Sequence, residues 1–110
     1  MNEAQAIQAF AALSQETRLQ IVRLLVQAGP GGMPAGAIGE AVAASSSRVS
    51  FHLSHLERAG LIQSRRDARS IIYSVTFNAL SGLVRFLMDD CCQGRPEICQ
   101  PIINAAICDC

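Results

Sequence analysis

The 110-residue chain contains no lysine and no tryptophan, and none of its first 90 residues is a cysteine. It has no charged and then apolar leader, and no apolar run approaches the roughly 18 residues of a membrane span. A disulfide scaffold would spread its cysteines through the fold, so such a scaffold is excluded. These absences predict a soluble, cytoplasmic protein with no membrane partner, and a chain of this length forms one domain.

The formal net charge is zero, but the charges are unevenly distributed. Residues 48–69 contain five arginines and two acids, a net charge of +3, whereas residues 89–110 contain four acids and one arginine, a net charge of −3. A basic middle and an acidic end suit a protein that meets phosphate on one surface only.

Apolar periodicity and turn residues predict five helices and one hairpin. The helices are predicted over residues 4–13, 15–27, about 35–43, 47–60 and about 78–90, and two strands lie between residues 61 and 77, around a turn at Asp67–Ala68. The second helix is expected to begin after an N-cap at Ser14 and to bury a stripe of four apolar residues: Leu19, Val22, Leu25 and Val26.

The predicted fold class is mainly α with a small β-hairpin, in the element order of a winged helix-turn-helix. Residues 1–92 are predicted to form the DNA-binding and dimerisation domain, and residues 93–110 a cysteine-rich C-terminal tail. The fifth helix carries an apolar stripe that is wide enough to pack against both the core and a second subunit. Its residues are Leu80, Leu83, Val84 and Leu87.

Two groups of residues are predicted to contact DNA. The fourth helix places Val49, Leu53 and Leu56 on one face, and the opposite face carries small hydroxyl residues and an arginine, which can approach base edges and phosphates. That face supplies the predicted contacts Ser46, Ser47, Arg48, Ser50, Phe51 and Ser54. The hairpin supplies three arginines expected to contact backbone phosphates: Arg65, Arg66 and Arg69.

The segments SQETRLQIVRLL, SSSRVSFHLSHLERAGLI and RRDARSIIYSV resemble the ArsR/SmtB family of bacterial metalloregulatory repressors, over about residues 5–92. The resemblance implies a homodimer built by the first and fifth helices, with one recognition helix per subunit in successive major grooves of double-stranded operator DNA. It further implies repression that is relieved when a metal or metalloid binds.

The chain departs from two metal sites of that family. The founding arsenic sensors carry paired cysteines before the recognition helix, and the corresponding segment AIGEAVAAS has none. The family's zinc sensors use Asp and His on the fifth helix, which here contains no histidine. His52 belongs to the family's S-x-H-L pattern and is expected to be packed and hydrogen-bonded.

All five cysteines lie in the last 20 residues. DDCCQGRPEIC resembles a subgroup of the family in which a vicinal pair and a third cysteine bind arsenite, which implies a site at Cys91, Cys92 and Cys99. Soft ligands of this kind suit As(III) or Sb(III) as inducer, with no organic cofactor. Cys108 and Cys110 could complete a second site, bridge to the other subunit or be passive.

Three alternatives compete with this hypothesis. A redox repressor of the same fold would use a disulfide, which needs Cys99 or a later cysteine because vicinal disulfides are strained. A phosphatase-like thiol enzyme would need arginine six positions after a cysteine, where Cys92 and Cys99 have Ile98 and Ala105. No enzyme is therefore expected. A ligand-free adaptor would leave the cysteines unexplained.

Overall fold

The computed structural model describes residues 1–88. Its elements are, in order, α1 (Glu3–Leu13), α2 (Glu16–Ala28), a 3-10 turn (Gly29–Gly31), β1 (Met33–Pro34), α3 (Ala35–Val42), α4 (Ser46–Arg58), β2 (Ile62–Asp67), β3 (Ser70–Val75) and α5 (Phe77–Met88). The predicted class, mainly helical with a small β-sheet in winged helix-turn-helix order, is confirmed. The predicted tail, and the predicted end of the fifth helix near residue 90, lie outside the described residues.

The hairpin is part of a three-stranded antiparallel sheet with the order β1-β3-β2. β1 was not predicted, because two residues that include a proline carry no periodicity; an edge strand tolerates Pro34, which has no N–H to donate. β1 pairs through Met33 with Tyr73 and through Pro34 with Ile72. The hairpin turn follows Asp67, and Ala68 adopts a positive φ of 56°.

Gly32 allows the chain to enter β1. Its φ is +71°, and a Cβ built there would lie 2.9 Å from Cγ2 of Ile72 and 3.1 Å from the carbonyl carbon of Tyr73. Glycine is the residue that adopts this conformation without a steric cost. The segment between α2 and α3 therefore lies directly against β3.

The prediction for α2 was wrong in two details. Gln15 is the N-cap, and its side chain accepts a hydrogen bond from the Arg18 backbone N–H. The buried stripe is rotated relative to the predicted one, because Leu19 and Val26 are exposed. Its members are Arg18, Ile21, Val22 and Leu25. Burial of the Arg18 side chain, which has its own partners inside the fold, accounts for the rotation.

The core lies between the helices and the base of the sheet. Its largest fully buried side chains are Ile21, Leu25, Ile38, Leu53, Leu56, Leu61, Val49 and Val75. The predicted inner face of α4 is thereby confirmed. No helix within residues 1–88 is long and apolar enough to cross a membrane.

α1 and α5 expose large apolar side chains. α1 buries the small residues Ala6, Ala9 and Ala12, while Ile7 is 60% exposed. On α5, Leu83 is buried and Leu87 is 55% exposed. α1 and α5 therefore both present large apolar side chains to solvent.

Candidate nucleic-acid interface

α3 and α4 form a tight helix-turn-helix. α3 ends at Ala43, whose φ of 56° reverses the chain in the left-handed region, and Ser45 is the N-cap of α4. Gly39 lies at the crossing, where a Cβ would be 3.2 Å from the Ala44 carbonyl oxygen and 3.3 Å from Cγ2 of Val49. The glycine that weakens α3 as an isolated helix thus allows α4 to pack closely.

The outer face of α4 is polar and exposed. The Ser45 hydroxyl accepts from the Arg48 backbone N–H at 3.3 Å, which fixes the first turn. All six residues predicted to contact DNA from this helix are exposed and lie away from its buried face: Ser46, Ser47, Arg48, Ser50, Phe51 and Ser54. The structure therefore brings this predicted set together on one surface.

Phe51 is the large apolar residue of that surface, with 60% of its side chain exposed. Its ring meets the ring of His52 edge-on, with centroids 5.4 Å apart, and that of His55 with centroids 6.4 Å apart. The exposed part of the Phe51 ring is apolar surface of the kind that can contact a thymine methyl group.

His52 faces inward and pairs with Arg18. One guanidinium nitrogen of Arg18 lies 3.3 Å from Nδ1 of His52, and Nε of Arg18 donates to the Ala12 carbonyl at 2.7 Å. Burial, together with the positive charges of Arg18, Arg48 and a protonated His55, lowers the pKa of His52 below its ordinary value. His52 is therefore a neutral acceptor that connects α4 to α1 and α2, which confirms that it is packed and hydrogen-bonded.

The three arginines of the hairpin have different environments, although all are exposed. Within residues 1–88, the side chains of Arg66 and Arg69 make no hydrogen bond or ion pair. Arg65 donates from Nη1 to the Pro30 carbonyl at 3.2 Å and from Nη2 to the Gly31 carbonyl at 2.8 Å. Arg66 and Arg69 thus keep all their donors for a phosphate, whereas Arg65 does not.

The hairpin is also connected to α4. The Ser64 hydroxyl in β2 donates to Oε2 of Glu57 in α4 at 2.8 Å. After α4, the Leu61 N–H donates to the Leu56 carbonyl at 3.1 Å, and Gly60 between them has a φ of +81°. The recognition helix and the hairpin therefore form one surface with two polar contacts at its base.

The predicted thiol site lies outside the described residues, since Cys91, Cys92, Cys99, Cys108 and Cys110 all follow residue 88. Within residues 1–88, no group of three or more His, Cys, Asp or Glu side chains is arranged to hold a metal ion.

Sequence reasoning missed Arg18 as a component of the site. A signal was available, because Arg18 precedes Ile21, Val22 and Leu25 by three, four and seven positions and so shares their helical face. An arginine in an otherwise apolar stripe indicates a buried hydrogen-bonding role. The roles of Arg65 and Gly32 depend on the α2–α3 connection, which carried no interpretable pattern.

A tight helix-turn-helix with an arginine-bearing hairpin at its side defines a winged helix-turn-helix DNA-binding protein. Residues 13–65 match a family model described as a helix-turn-helix domain. The Escherichia coli (strain K12) HTH-type transcriptional regulator YgaV is 34% identical over 88 residues, which cover 80% of this chain and 87% of YgaV.

Two solved structures support the same class of protein. An ArsR-like transcriptional regulator from Rhodococcus sp. RHA1 superimposes with a TM-score of 0.68 at 31% identity, over 76% of each chain. A homodimeric winged helix-turn-helix DNA-binding domain from Mycobacterium bovis, from a possible ArsR-family regulator, has a TM-score of 0.64 at 29% identity, over 79% of this chain and 81% of that one. This chain belongs to the ArsR/SmtB family of transcriptional regulators. It is a DNA-binding regulator and not an enzyme, as predicted.

Proposed function

We propose that the protein is a metalloid-responsive repressor, which binds operator DNA as a homodimer and is released when its C-terminal cysteines bind As(III) or Sb(III). The observation that carries the proposal is the position of the cysteines. All five lie after α5 in the sequence, the first of them three residues after Met88, and none occurs in the DNA-binding part of the chain.

The proposed DNA contacts divide by element. The exposed face of α4 enters the major groove, where Ser47 and Arg48 at its N-terminal end contact base edges. Arg66 and Arg69 of the wing contact backbone phosphates, since their guanidinium groups have no partner within residues 1–88. The remaining members of the surface on α4 are Ser46, Ser50, Phe51 and Ser54.

The proposed dimer uses α1 and α5. Exposed Ile7 on α1 and Leu87 on α5 supply apolar surface that a partner subunit would remove from water, which is the main driving force of association. The homodimeric structure from Mycobacterium bovis supports a homodimer. The cysteines proposed to bind the metalloid begin just after α5 in the sequence. The proposed sensing site and the proposed dimerisation helix are therefore neighbours in the sequence.

Thiol chemistry favours a metalloid as the inducer. Trivalent arsenic and antimony are soft and favour thiolate ligands, of which Cys91, Cys92 and Cys99 provide three. Neighbouring residues of an unbroken helix point about 100° apart, so Cys91 and Cys92 converge on one ion only where helical geometry gives way. Gly94 and Pro96 follow immediately and favour such an end.

Release requires differential binding. A ligand with equal affinity for the DNA-bound and DNA-free shapes would shift nothing, so the metalloid must bind the shape that fits DNA poorly. A coupling free energy of about 1–3 kcal/mol weakens DNA binding by about 5- to 150-fold.

Cysteine variants test the proposal on an operator fragment selected from random DNA by the wild-type protein. Cys91→Ser, Cys92→Ser and Cys99→Ser should each bind the fragment like wild type but fail to release it when As(III) or Sb(III) is added. Cys108→Ser and Cys110→Ser are the matched controls and should have weaker effects. A Cys99 variant that responds like wild type, beside a Cys108 or Cys110 variant that does not respond, would contradict the assignment of Cys99 and place the site at the last two cysteines.

A further inference from the structure

Arg65 connects the wing to a distant part of the chain. Its two terminal nitrogens donate to consecutive carbonyl oxygens, those of Pro30 and Gly31, which lie 35 and 34 residues earlier. Both carbonyls belong to the 3-10 turn Gly29–Gly31 between α2 and β1. A planar guanidinium that donates from two nitrogens fixes orientation as well as distance.

The place where Arg65 binds favours a cation. The 3-10 turn follows the C-terminal end of α2 directly, and carbonyl oxygens at a helix C-terminus carry partial negative charge. α2 has no basic residue of its own in its last turn. Arg65 therefore places a positive charge from β2 just beyond the C-terminal end of α2.

Two further contacts hold the same connection against the wing. β1 pairs with β3 at Met33–Tyr73 and Pro34–Ile72. Gly32, just before β1, approaches β3 so closely that a Cβ would lie 2.9 Å from Cγ2 of Ile72. Because the sheet order is β1-β3-β2, Arg65 in β2 reaches the connection on the far side of the central strand.

The neighbouring arginine is arranged differently. Successive residues of a strand point to opposite faces, so Arg65 and Arg66 project to opposite sides of the hairpin. The guanidinium group of Arg66 has no partner within the described part of the chain, whereas two side-chain donors of Arg65 are occupied. The two arginines therefore have different tasks, although they are adjacent in sequence.

We propose that Arg65 is a positioning residue of the wing, which fastens the hairpin to the connection between α2 and α3 and does not itself bind phosphate. It thereby sets where Arg66 and Arg69 meet the DNA backbone. The effect on DNA rests on the proposed DNA contacts, but the fastening exists in the free protein and can be measured without DNA.

Hydrogen exchange on the DNA-free protein is the first test, with Arg65→Ala, Arg65→Lys and Arg66→Ala as variants. Arg65→Ala should speed exchange of the amides that pair β1 with β3 by roughly tenfold, a factor typical of losing hydrogen bonds to a charged group. Arg65→Lys keeps the charge but not the planar fork, and should also exchange faster than wild type. Arg66→Ala is the matched control and should exchange like wild type.

The second test is operator binding as a function of salt, for Arg65→Ala, Arg66→Ala and the double variant. Arg66→Ala should lower the slope of log K against log salt by about 0.9 in the wild-type background. In the Arg65→Ala background the same change should cost less, because a loosened wing no longer presents Arg66 to the phosphate.

Two results would overturn the proposal: unchanged exchange in free Arg65→Ala, or losses of affinity that add independently for Arg65 and Arg66. The second result would make Arg65 a phosphate ligand. Failure of the wild-type protein to bind any DNA would refute the proposed function, and the exchange experiment would still decide whether Arg65 fastens the wing.

Discussion

Arg18 is a buried cation whose side-chain partners within residues 1–88 are the Ala12 carbonyl and Nδ1 of His52. It joins the end of α1, the start of α2 and the middle of the recognition helix. No carboxylate neutralises it among the described residues, so the contact depends on His52 remaining uncharged. A single protonation at His52 would remove the acceptor and place two positive charges side by side.

The stability of the protein should therefore depend on the protonation of His52. Burial and the nearby charges of Arg18, Arg48 and His55 lower the folded-state pKa of His52 below 6.5. The unfolded chain then binds more protons in the interval just below pH 6.5, so the contribution is complete above that pH and is lost as pH falls through the folded pKa. Urea unfolding between pH 5 and pH 8 measures this directly.

The pH experiment is best done in a His55→Gln background, because the pKa of His55 is also lowered, by burial and by Arg18 and Arg58. His52→Asn added to that background keeps an acceptor near the position of Nδ1 and cannot titrate in this range. The free energy of unfolding should then vary less with pH below 6.5. An unchanged pH dependence after this substitution would contradict the neutral-acceptor role of His52.

Gly32 is the second residue whose identity the structure requires. Gly32→Ala should lower the free energy of unfolding by about 1–3 kcal/mol, since its φ of +71° is strained for alanine and the new Cβ meets β3. Gly31→Ala is the matched control, because nothing lies within 4 Å of a Cβ there. Equal losses for both variants, measured by chemical denaturation, would show that the close approach is unimportant.

The recognition helix and the wing should fail in different ways when their residues are replaced. Ser47→Ala or Arg48→Ala should relax base preference, by roughly 1–3 kcal/mol where a good base contact is lost. Arg66→Ala or Arg69→Ala should weaken binding to all sequences and reduce the salt slope by about one unit. Competition between operator and random DNA at several salt concentrations separates the two effects.

Equal loss of specific and non-specific binding in both sets of variants would contradict this division between helix and wing. Arg58→Ala is a control for the loss of an exposed arginine from α4, because Arg58 lies at the C-terminal end of that helix.

The helices and strands differ in how well the sequence predicts them. Long segments with strong periodicity and clear caps, above all α4 with Ser45 before it and Gly60 after it, were placed nearly to the residue. α2 was found, and Val22 and Leu25 of its predicted stripe are buried, but Leu19 and Val26 are exposed. A rule that buries only apolar residues leaves out the buried Arg18. β1 was not predicted, because its formation depends on pairing with β3, about 40 residues later.

The candidate DNA-binding site also contains some residues that the sequence predicts and others that it does not. Surface residues of α4 follow from helical spacing alone, so Ser47, Arg48 and Phe51 were predictable. The distinction between Arg65 and Arg66 was not, because it depends on carbonyls of a glycine-rich turn that is remote in sequence.

Within residues 1–88, the large apolar side chains with the highest exposed fractions lie on α1, α4 and α5, and those of α1 and α5 suit a homodimer. Ile7→Asp should dissociate that dimer and weaken operator binding, because it places a charge in a surface that association buries. Leu19→Asp is the matched control, since Leu19 is an exposed apolar residue on α2. Sedimentation at micromolar concentration should show a dimer for wild type and Leu19→Asp, and a monomer for Ile7→Asp.

A wild-type monomer that still binds its operator tightly would contradict the assembly. So would dissociation by Leu19→Asp with no effect of Ile7→Asp, because the interface would then lie on α2.

The most direct test of the account is operator release by wild-type protein from one reduced preparation, titrated separately with As(III), Sb(III), Zn(II) and peroxide. Release by As(III) or Sb(III), with affinity lowered about 5- to 150-fold and little effect of Zn(II) or peroxide, is the predicted result. Release by peroxide alone would instead support a disulfide switch in the same cysteines. Release by Zn(II) alone, or by none of the four, would contradict the assignment of a metalloid-responsive repressor.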